Sequence, residues 1–372
     1  MASRGAACGW GVGDVHVNAP VATAIVVTHN SQAYIAASLT SLCQAELAVR
    51  VVDNASVDRT LDIIDREFPD VTVVANPVNV GFAAAVNHAV SSVETDIVLL
   101  VDPDCVVPPA TAHELVRLLR GRPSVGIAGP RLIGPDGRVA ISAHPFESLG
   151  SGLAWRFCGS LLPLALRRLL CGARRRRAYD ACRKPGGPVE VDWMSGACLA
   201  VRTDLLVRLG GLDERYFLYY EDEELCLRAR AEGAKAAYLP TVEAYHVGGA
   251  SSPDPVRSWP HLYRSMLVFF ARHRAEQLPM VRAAVLVRAL IGIVLAGTRL
   301  PLAPRSGAAR LRAWSEIAGI AFAARTGAPF ASLCRYPERT AAAPADQKDL
   351  SHPSGGGSSS QRPDPARATP AN

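Results

Sequence analysis

The first hundred residues predict an α/β fold with a mostly parallel sheet flanked by helices, and three observations carry that prediction. Short apolar runs alternate with segments of helical period between Val21 and Asp102, the rhythm of right-handed βαβ units. Each apolar run closes on polar residues, as buried parallel strands do at their carboxyl ends. The composition, 49% hydrophobic and 20% charged over 372 residues, suits a packed protein with room for one large domain and appendages.

In order, "VATAIVVTHN" reads as the first strand and "SQAYIAASLTSLCQA" as a helix with Ser31 as its N-cap. "AVRVVDNAS" is the second strand, residues 57–67 the second helix and "VTVVAN" the third strand. "GFAAAVNHAVSSV" forms the third helix and "DIVLLVD" the fourth strand. Beyond residue 130 the alternation loosens. Asp136-Gly137 in "LIGPDGRVAI" signals a tight turn between short strands. "VDWMSGACLAVRTDLL" reads as a strand leading to a capped helix, and "YYEDEELCLRARAEGA" as a helix opening on four consecutive acids, Glu221 to Glu224. Acids suit the positive end of a helix dipole, yet four in a row exceed what capping requires, because like charges repel.

The rest of the chain divides by composition. Residues 1–20 read as a disordered Gly-rich tail, and their "GWGVG" lacks the preceding strand of a dinucleotide loop. Residues 21–255 hold the α/β domain. Within it, 148–185 read as a basic amphipathic insertion, with nine Lys/Arg against the one acid Asp180 between Arg156 and Lys184. Such a cluster favours anionic partners such as phosphorylated lipid. No aromatic interleaving or nucleic-acid module accompanies it, so no nucleic acid is expected as a partner.

Residues 256–335 read as a helical, membrane-associated region. "LPMVRAAVLVRALIGIVLAGTRL" is long enough to span, but it contains Arg282 and Arg288, and a central arginine costs roughly 2.5–3.5 kcal/mol on insertion. The expectation is amphipathic helices lying in the interface with these arginines reaching toward head groups; ordinary core helices are the alternative. Residues 336–372 read as a disordered low-complexity tail. Nine scattered cysteines without a C-x-x-C, and an N-terminus without an apolar signal core, point to reduced thiols in the cytoplasm. No fixed-period repeat suggests a solenoid.

Ligands of open α/β sheets sit beyond the carboxyl ends of the strands. Those ends carry Thr28-His29-Asn30, Asp53-Asn54, Asn76 and Asp102-Pro103-Asp104. The Asp-Pro-Asp admits two readings: a polar turn that stops a strand, or a pair of oxygen ligands for a divalent metal.

Eight motifs then fall in one order: "VVTHNS", "VVDNASVDRT", "NVGFAAAVNHAV", "VDPDC", "GPRLIGPDGRV", "MSGACLAVR", "GGLDERYFLYYEDEELCLRARAEG" and "HVGGAS". Across roughly residues 22–270 the chain resembles the inverting family 2 glycosyltransferases of GT-A fold, nearest their rhamnosyltransferase branch. The resemblance implies a nucleotide-diphosphate sugar donor, a Mg2+ or Mn2+ cofactor and inversion at the anomeric carbon. It assigns Asp53 to the nucleotide, with Thr28 and Asn30 bordering the base and Asn79 and Gly81 on its far side. Asp104 would be the direct metal ligand, Asp102 would face ribose or a metal-bound water, and His246 would complete the metal shell. Asp222 would be the general base, with Glu221 and Glu223 as runners-up. Trp193 would stack on a sugar, and Gly196 and Ala197 would leave it room. One departure stands out: Glu224 occupies the place of the second Asp in the commoner "EDVDLC".

The implied function is transfer of a sugar from a dTDP- or UDP-sugar to a lipid-linked saccharide on a polyprenyl diphosphate, by a peripheral enzyme at the cytoplasmic face of the cell membrane. L-rhamnose from dTDP-rhamnose is the first choice. A galactofuranosyl or other hexosyl transferase, and a catalytically silent nucleotide-sugar-binding module, are the alternatives.

Overall fold

The fully buried run "TAIVVT" forms the first strand of a computed structural model that describes residues 20–148, 186–249, 255–301 and 303–324, with 180, 182, 333, 334 and 336 as single positions. Apart from Pro20 and Tyr336, the expected tails, like the arginine run at 174–177 and nearly all of the expected basic insertion, lie outside the described residues; Tyr336, expected to open the disordered tail, is instead 3% exposed and donates its hydroxyl to the Arg215 carbonyl at 2.8 Å.

The first half alternates as the sequence predicts: β1 (Thr23–Thr28), α1 (Ile35–Gln44), β2 (Ala48–Asn54), α2 (Thr60–Glu67), β3 (Thr72–Asn76), α3 (Phe82–Val90) and β4 (Ile97–Val101). Then come β5 (Cys105–Val106), α4 (Pro109–Gly121), β6 (Val125–Ile133), β7 (Val139–Ala140) and β8 (Ala143–His144). After residue 186 follow β9 (Val189–Val191), β10 (Trp193–Met194), β11 (Cys198–Arg202), α5 (Thr203–Arg208), α6 (Glu221–Ala231) and β12 (Lys235–His246). Three long helices close the described chain: α7 (Pro255–His273), α8 (Leu278–Arg299) and α9 (Pro304–Ala323).

The main sheet runs β3-β2-β1-β4-β11-β6-β12-β5. Its first four strands are parallel. The second half is mixed, because β11 pairs antiparallel with both β4 and β6 while β12 runs parallel to β6. Asp136-Gly137 makes the expected turn between β6 and β7, with Gly137 at φ +71°. Side chains alternate across a strand, so β1 feeds two cores. Ala24 and Val26 join Leu39, Leu42 and Leu115 on one face. Ile25 and Val27 join Val86, Leu205 and Leu225 on the other. Within the parallel half, β3 is the exception to burial: only Asn76 is buried, because the strand lies at the sheet edge.

Two capping expectations fail. α1 begins at Ile35 with Tyr34 at its N-cap. Ser31 instead supplies its carbonyl to the Tyr34 and Ile35 N–H groups, because a turn separates it from the helix. α5 begins without a side-chain cap.

The C-terminal helices pack on one another and on the main domain. Their core joins Leu267, Phe270, Val281, Val285, Trp314 and Ile317 to Tyr216 and Tyr220. Gly292 of α8 lies flat against Trp314, where a Cβ would come within 2.4 Å of the ring. The arginines of α8 overturn their expected placement toward head groups. Arg282 Nε donates to the Ala321 carbonyl at 2.7 Å, and the Arg288 guanidinium sits 4.4 Å over the Trp314 ring. Both charges are turned toward α9. The outward side of α8 is thereby left apolar: Met280, Val287, Leu290, Ile291, Val294 and Leu295 are 45–64% exposed. Among the described residues, Ala275–Arg299 is the one stretch long and apolar enough to cross a membrane.

Candidate functional site

Strand order decides where the site opens. β2 and β3 lie to one side of β1, and β4 lies to the other. The chain reverses direction across the sheet there, and a crevice forms beyond the carboxyl ends of β1 and β4. A cavity of ≈370 Å³ occupies it, lined by Thr28, His29, Asn54, Asn79 and Gly81 from the parallel half. Asp102, Asp104, Gly196, Tyr219, Glu221, Asp222 and His246 complete its wall.

Asp102, Asp104 and His246 form one cluster whose ligand atoms all lie within 4.8 Å of one another. His246 Nε2 is 3.5 Å from Asp102 Oδ2 and 3.3 Å from Asp104 Oδ1. The second oxygen of Asp104 accepts from the Gly248 N–H at 3.0 Å. Burial alone would push the His246 imidazole down, but the two carboxylates outweigh it and hold it up at about 10. Burial opposes ionisation of Asp104, yet His246 and the Gly248 N–H keep its carboxyl below the usual range. A proton on His246 thus supplies the positive charge the carboxylates require. Two carboxylates and an imidazole are a donor set that a divalent cation fits, once the imidazole proton has left.

The acidic start of α6 separates into four different environments. Asp222 accepts from the Gly196 N–H at 3.0 Å and the Glu223 N–H at 2.8 Å. Burial pushes its carboxyl up to about 6 against those donors. Burial, then the neighbouring Asp222, push Glu221 well above the carboxylate range, and Glu221 Oε2 has no hydrogen-bond partner among the described residues. Asp222 is therefore the ionised member of the pair at neutral pH. Glu223 is 1% exposed and accepts from the Glu147 N–H at 2.6 Å, off the cavity wall. Glu224 is fully buried against Arg228 at 2.8 Å and His273 at 3.5 Å. The run is one cavity pair followed by two structural carboxylates.

The remaining expected residues divide in the same way. Thr28 reaches the cavity and donates to Asp53 Oδ1 at 2.7 Å. Asp53 is 1% exposed, takes the Ser56 N–H at 2.8 Å and the Ser56 hydroxyl, and lies behind the wall. Asn30, at φ +56°, is exposed and accepts from the Val57 N–H outside the cavity. Asn79 accepts from the Gly81 N–H at 2.9 Å. Gly81 is required by its own fold: φ is +86°, and a Cβ would lie 2.7 Å from the Phe217 carbonyl. Gly196 differs, since a Cβ there would meet only Asp222, at 3.6 Å and beyond. Its missing side chain opens the cavity rather than relieving the packing. Trp193 is off the wall, stacked on His144 at 4.5 Å with its N–H given to the Pro145 carbonyl at 3.0 Å.

Residues without an assigned role also enter the wall. His29 Nδ1–H donates to the Asn54 carbonyl at 2.7 Å, and Asn54 Nδ2 donates to the Gly81 carbonyl at 3.2 Å. Both sit at strand ends, the signal that could have found them. Tyr219 carries no such signal. It and Tyr220 sit at φ +70° and +73°, where a bulky residue is not expected from sequence.

Residues 23–165 match the profile of the family described as glycosyl transferase family 2. An N-acetylglucosaminyl-diphospho-decaprenol L-rhamnosyltransferase of Mycobacterium tuberculosis is 29% identical over 250 residues, 64% of this chain and 79% of its own. Rhamnosyltransferase WbbL of Escherichia coli is 43% identical over 56 residues, 15% of this chain and 21% of its own. Among solved structures, GalNAc-T7 with UDP, GalNAc and Mn2+ aligns with a TM-score of 0.48 at 16% identity, covering 68% of this chain and 48% of that one.

Proposed function

We propose that this chain, whose residues 23–165 form a glycosyl transferase family 2 domain, is a metal-dependent inverting transferase of L-rhamnose. Its donor is dTDP-rhamnose and its acceptor a polyprenyl-diphosphate-linked GlcNAc, the acceptor class in the mycobacterial relative's name. The observation that carries this reading is one cavity lined both by the Asp102–Asp104–His246 cluster and by Asp222. That combination supports an enzyme over a silent sugar-binding module, which needs no base.

Asp104, His246 and Asp102 would hold Mg2+ or Mn2+, which supplies positive charge to the departing diphosphate. The imidazole is a softer ligand than Mg2+ usually takes, which favours Mn2+. Thr28 and Asn54 line the nucleoside end, and Asp53, behind the wall, orients the Thr28 hydroxyl that donates to it. Asp222 removes the proton of the acceptor hydroxyl as that oxygen bonds to the anomeric carbon. The bond from this carbon to the diphosphate oxygen breaks on the opposite side, so configuration inverts and the nucleoside diphosphate departs. Protonated Glu221 adds no second negative charge beside the base.

The apolar outward side of α8 supports peripheral attachment to the membrane where such an acceptor resides. Incubation with dTDP-, UDP- and GDP-sugars and a GlcNAc-diphosphate-polyprenol, with and without chelator, tests the proposal. Chelator-sensitive transfer of rhamnose from dTDP-rhamnose is expected. Strict use of a GDP-sugar would exclude rhamnose, and transfer unaffected by chelator would exclude the metal role.

A further inference from the structure

We infer that Tyr219 is the platform on which the acceptor saccharide stacks, an inference that rests on the glycosyl transfer proposed above. Four aromatic residues crowd the segment "YFLYY" at 216–220. Tyr216, Phe217 and Tyr220 are 0%, 5% and 4% exposed. Tyr216 and Tyr220 belong to the core shared with the C-terminal helices, and Tyr220 hydroxyl also bonds Glu147. Tyr219 alone among them is open, at 37%, and it lines the cavity of Asp222.

The chemistry of the two ends assigns the partner. Asp102, Asp104 and His246 occupy the end that suits a diphosphate. Asp222 must touch the attacking hydroxyl, so the acceptor sugar lies against whatever lines the cavity beside Asp222. Gly196 donates to Asp222 there and offers no side chain. Tyr219 leads directly into the turn of α6 that carries Asp222. A pyranose ring presents a face of C–H bonds, and an aromatic ring is the side chain that covers such a face while its hydroxyl meets the sugar's polar edge. Trp193, the aromatic expected to stack on a donor or acceptor sugar, is already stacked on His144 and bonded to Pro145.

The backbone agrees. A left-handed conformation is unfavourable for a non-glycine residue, and Tyr219 adopts it at φ +70°. Tyr220 shares that conformation at φ +73° but buries its ring in the core with the C-terminal helices, whereas Tyr219 stays open on the cavity wall.

The test uses full-length Tyr219→Gly and Tyr219→Phe proteins with dTDP-rhamnose and a water-soluble GlcNAc-diphosphate carrying a short isoprenoid. Readouts are KM for each substrate, hydrolysis of the donor by water, calorimetric binding of the acceptor, and the thermal midpoint. Tyr219→Gly should raise acceptor KM and Kd about tenfold or more. Its donor KM and donor hydrolysis should match the parent, and its midpoint should stay within about 5 °C. Tyr219→Phe should stay within about threefold of the parent, since the ring remains. An unchanged acceptor Kd in folded Tyr219→Gly overturns the inference, as does a parallel loss of donor hydrolysis and acceptor use. A parent protein that binds the acceptor but neither hydrolyses nor transfers any sugar would instead sink the transferase reading, leaving the Tyr219 comparison of acceptor Kd intact.

Discussion

His246 Nε2 lies 3.3 Å from Asp104 Oδ1 because the last rung of the sheet sets His246 opposite Cys105 in antiparallel register. The imidazole arrives from the end of β12 and the carboxylate from the loop before β5, so sheet formation itself assembles the cluster. A cation bound there should stabilise the folded protein by mass action, about 2.7 kcal/mol at a hundredfold excess over Kd. Scanning calorimetry with Mn2+ should show a raised midpoint in the parent, and Asp104→Ala or His246→Ala should abolish the increment. An equal increment in both variants would place the ion elsewhere.

On the proposed mechanism, Asp222 sets the pH dependence. Its carboxyl is raised to about 6, and a general base works only when ionised. With Mn2+ held saturating, so that His246 has given up its proton to the ion, kcat/KM should therefore be level above about pH 7 and fall tenfold per pH unit below about 6. Asp222→Asn should lower kcat about 10²–10⁴-fold with donor affinity retained. A flat profile from pH 5 to 8 would remove Asp222 from the chemistry.

Two glycines on the cavity wall should respond oppositely to alanine. Gly81→Ala places a Cβ 2.7 Å from the Phe217 carbonyl and forces a left-handed alanine, so stability should fall by about 1–3 kcal/mol. Gly196→Ala meets only ordinary contacts from Asp222. It should unfold like the parent yet lose turnover, because the added methyl group occupies substrate space. Denaturant titration and initial rates separate the two.

Glu224 should prove structural. Its carboxylate is fully buried and takes Arg228 Nε at 2.8 Å, while Arg228 also donates to the Leu209 and Gly211 carbonyls. Removing one partner of a buried pair leaves a stranded charge, at about 3–5 kcal/mol. Glu224→Ala should show that loss in urea, and a stable Glu224→Ala would mean that the Arg228 network tolerates the vacancy.

The outward face of α8 should bind lipid. Val287→Asp and Val294→Asp lie on its exposed stripe, so folding should be unaffected while co-sedimentation with vesicles containing anionic phospholipid is lost. Unchanged sedimentation would leave α8 as a solvent-facing helix.

Much of the parallel half was legible in sequence because strands buried on both faces must be apolar and must end where solvent returns. Thr28, Asn54 and Asp102 stand at those ends, as periodicity alone requires. The antiparallel insertion of β11 between β4 and β6 left no comparable mark, since local pattern records burial and not partner. The α8 arginines were legible as charges but not by direction: helical spacing gives a face, and only packing against Ala321 and Trp314 gives it a neighbour.

The sequence by itself determined the alternation of strands and helices, the rim on which polar residues gather, and the acids that open α6. The tertiary structure decided which of those acids face the cavity, that Trp193 is spent on His144, that Asp53 lies buried against Thr28, and that Tyr219 is open. The reason is that a residue's type fixes what chemistry it can do, whereas contacts between chain-distant segments fix its solvation and its partners, and these decide whether it can do it.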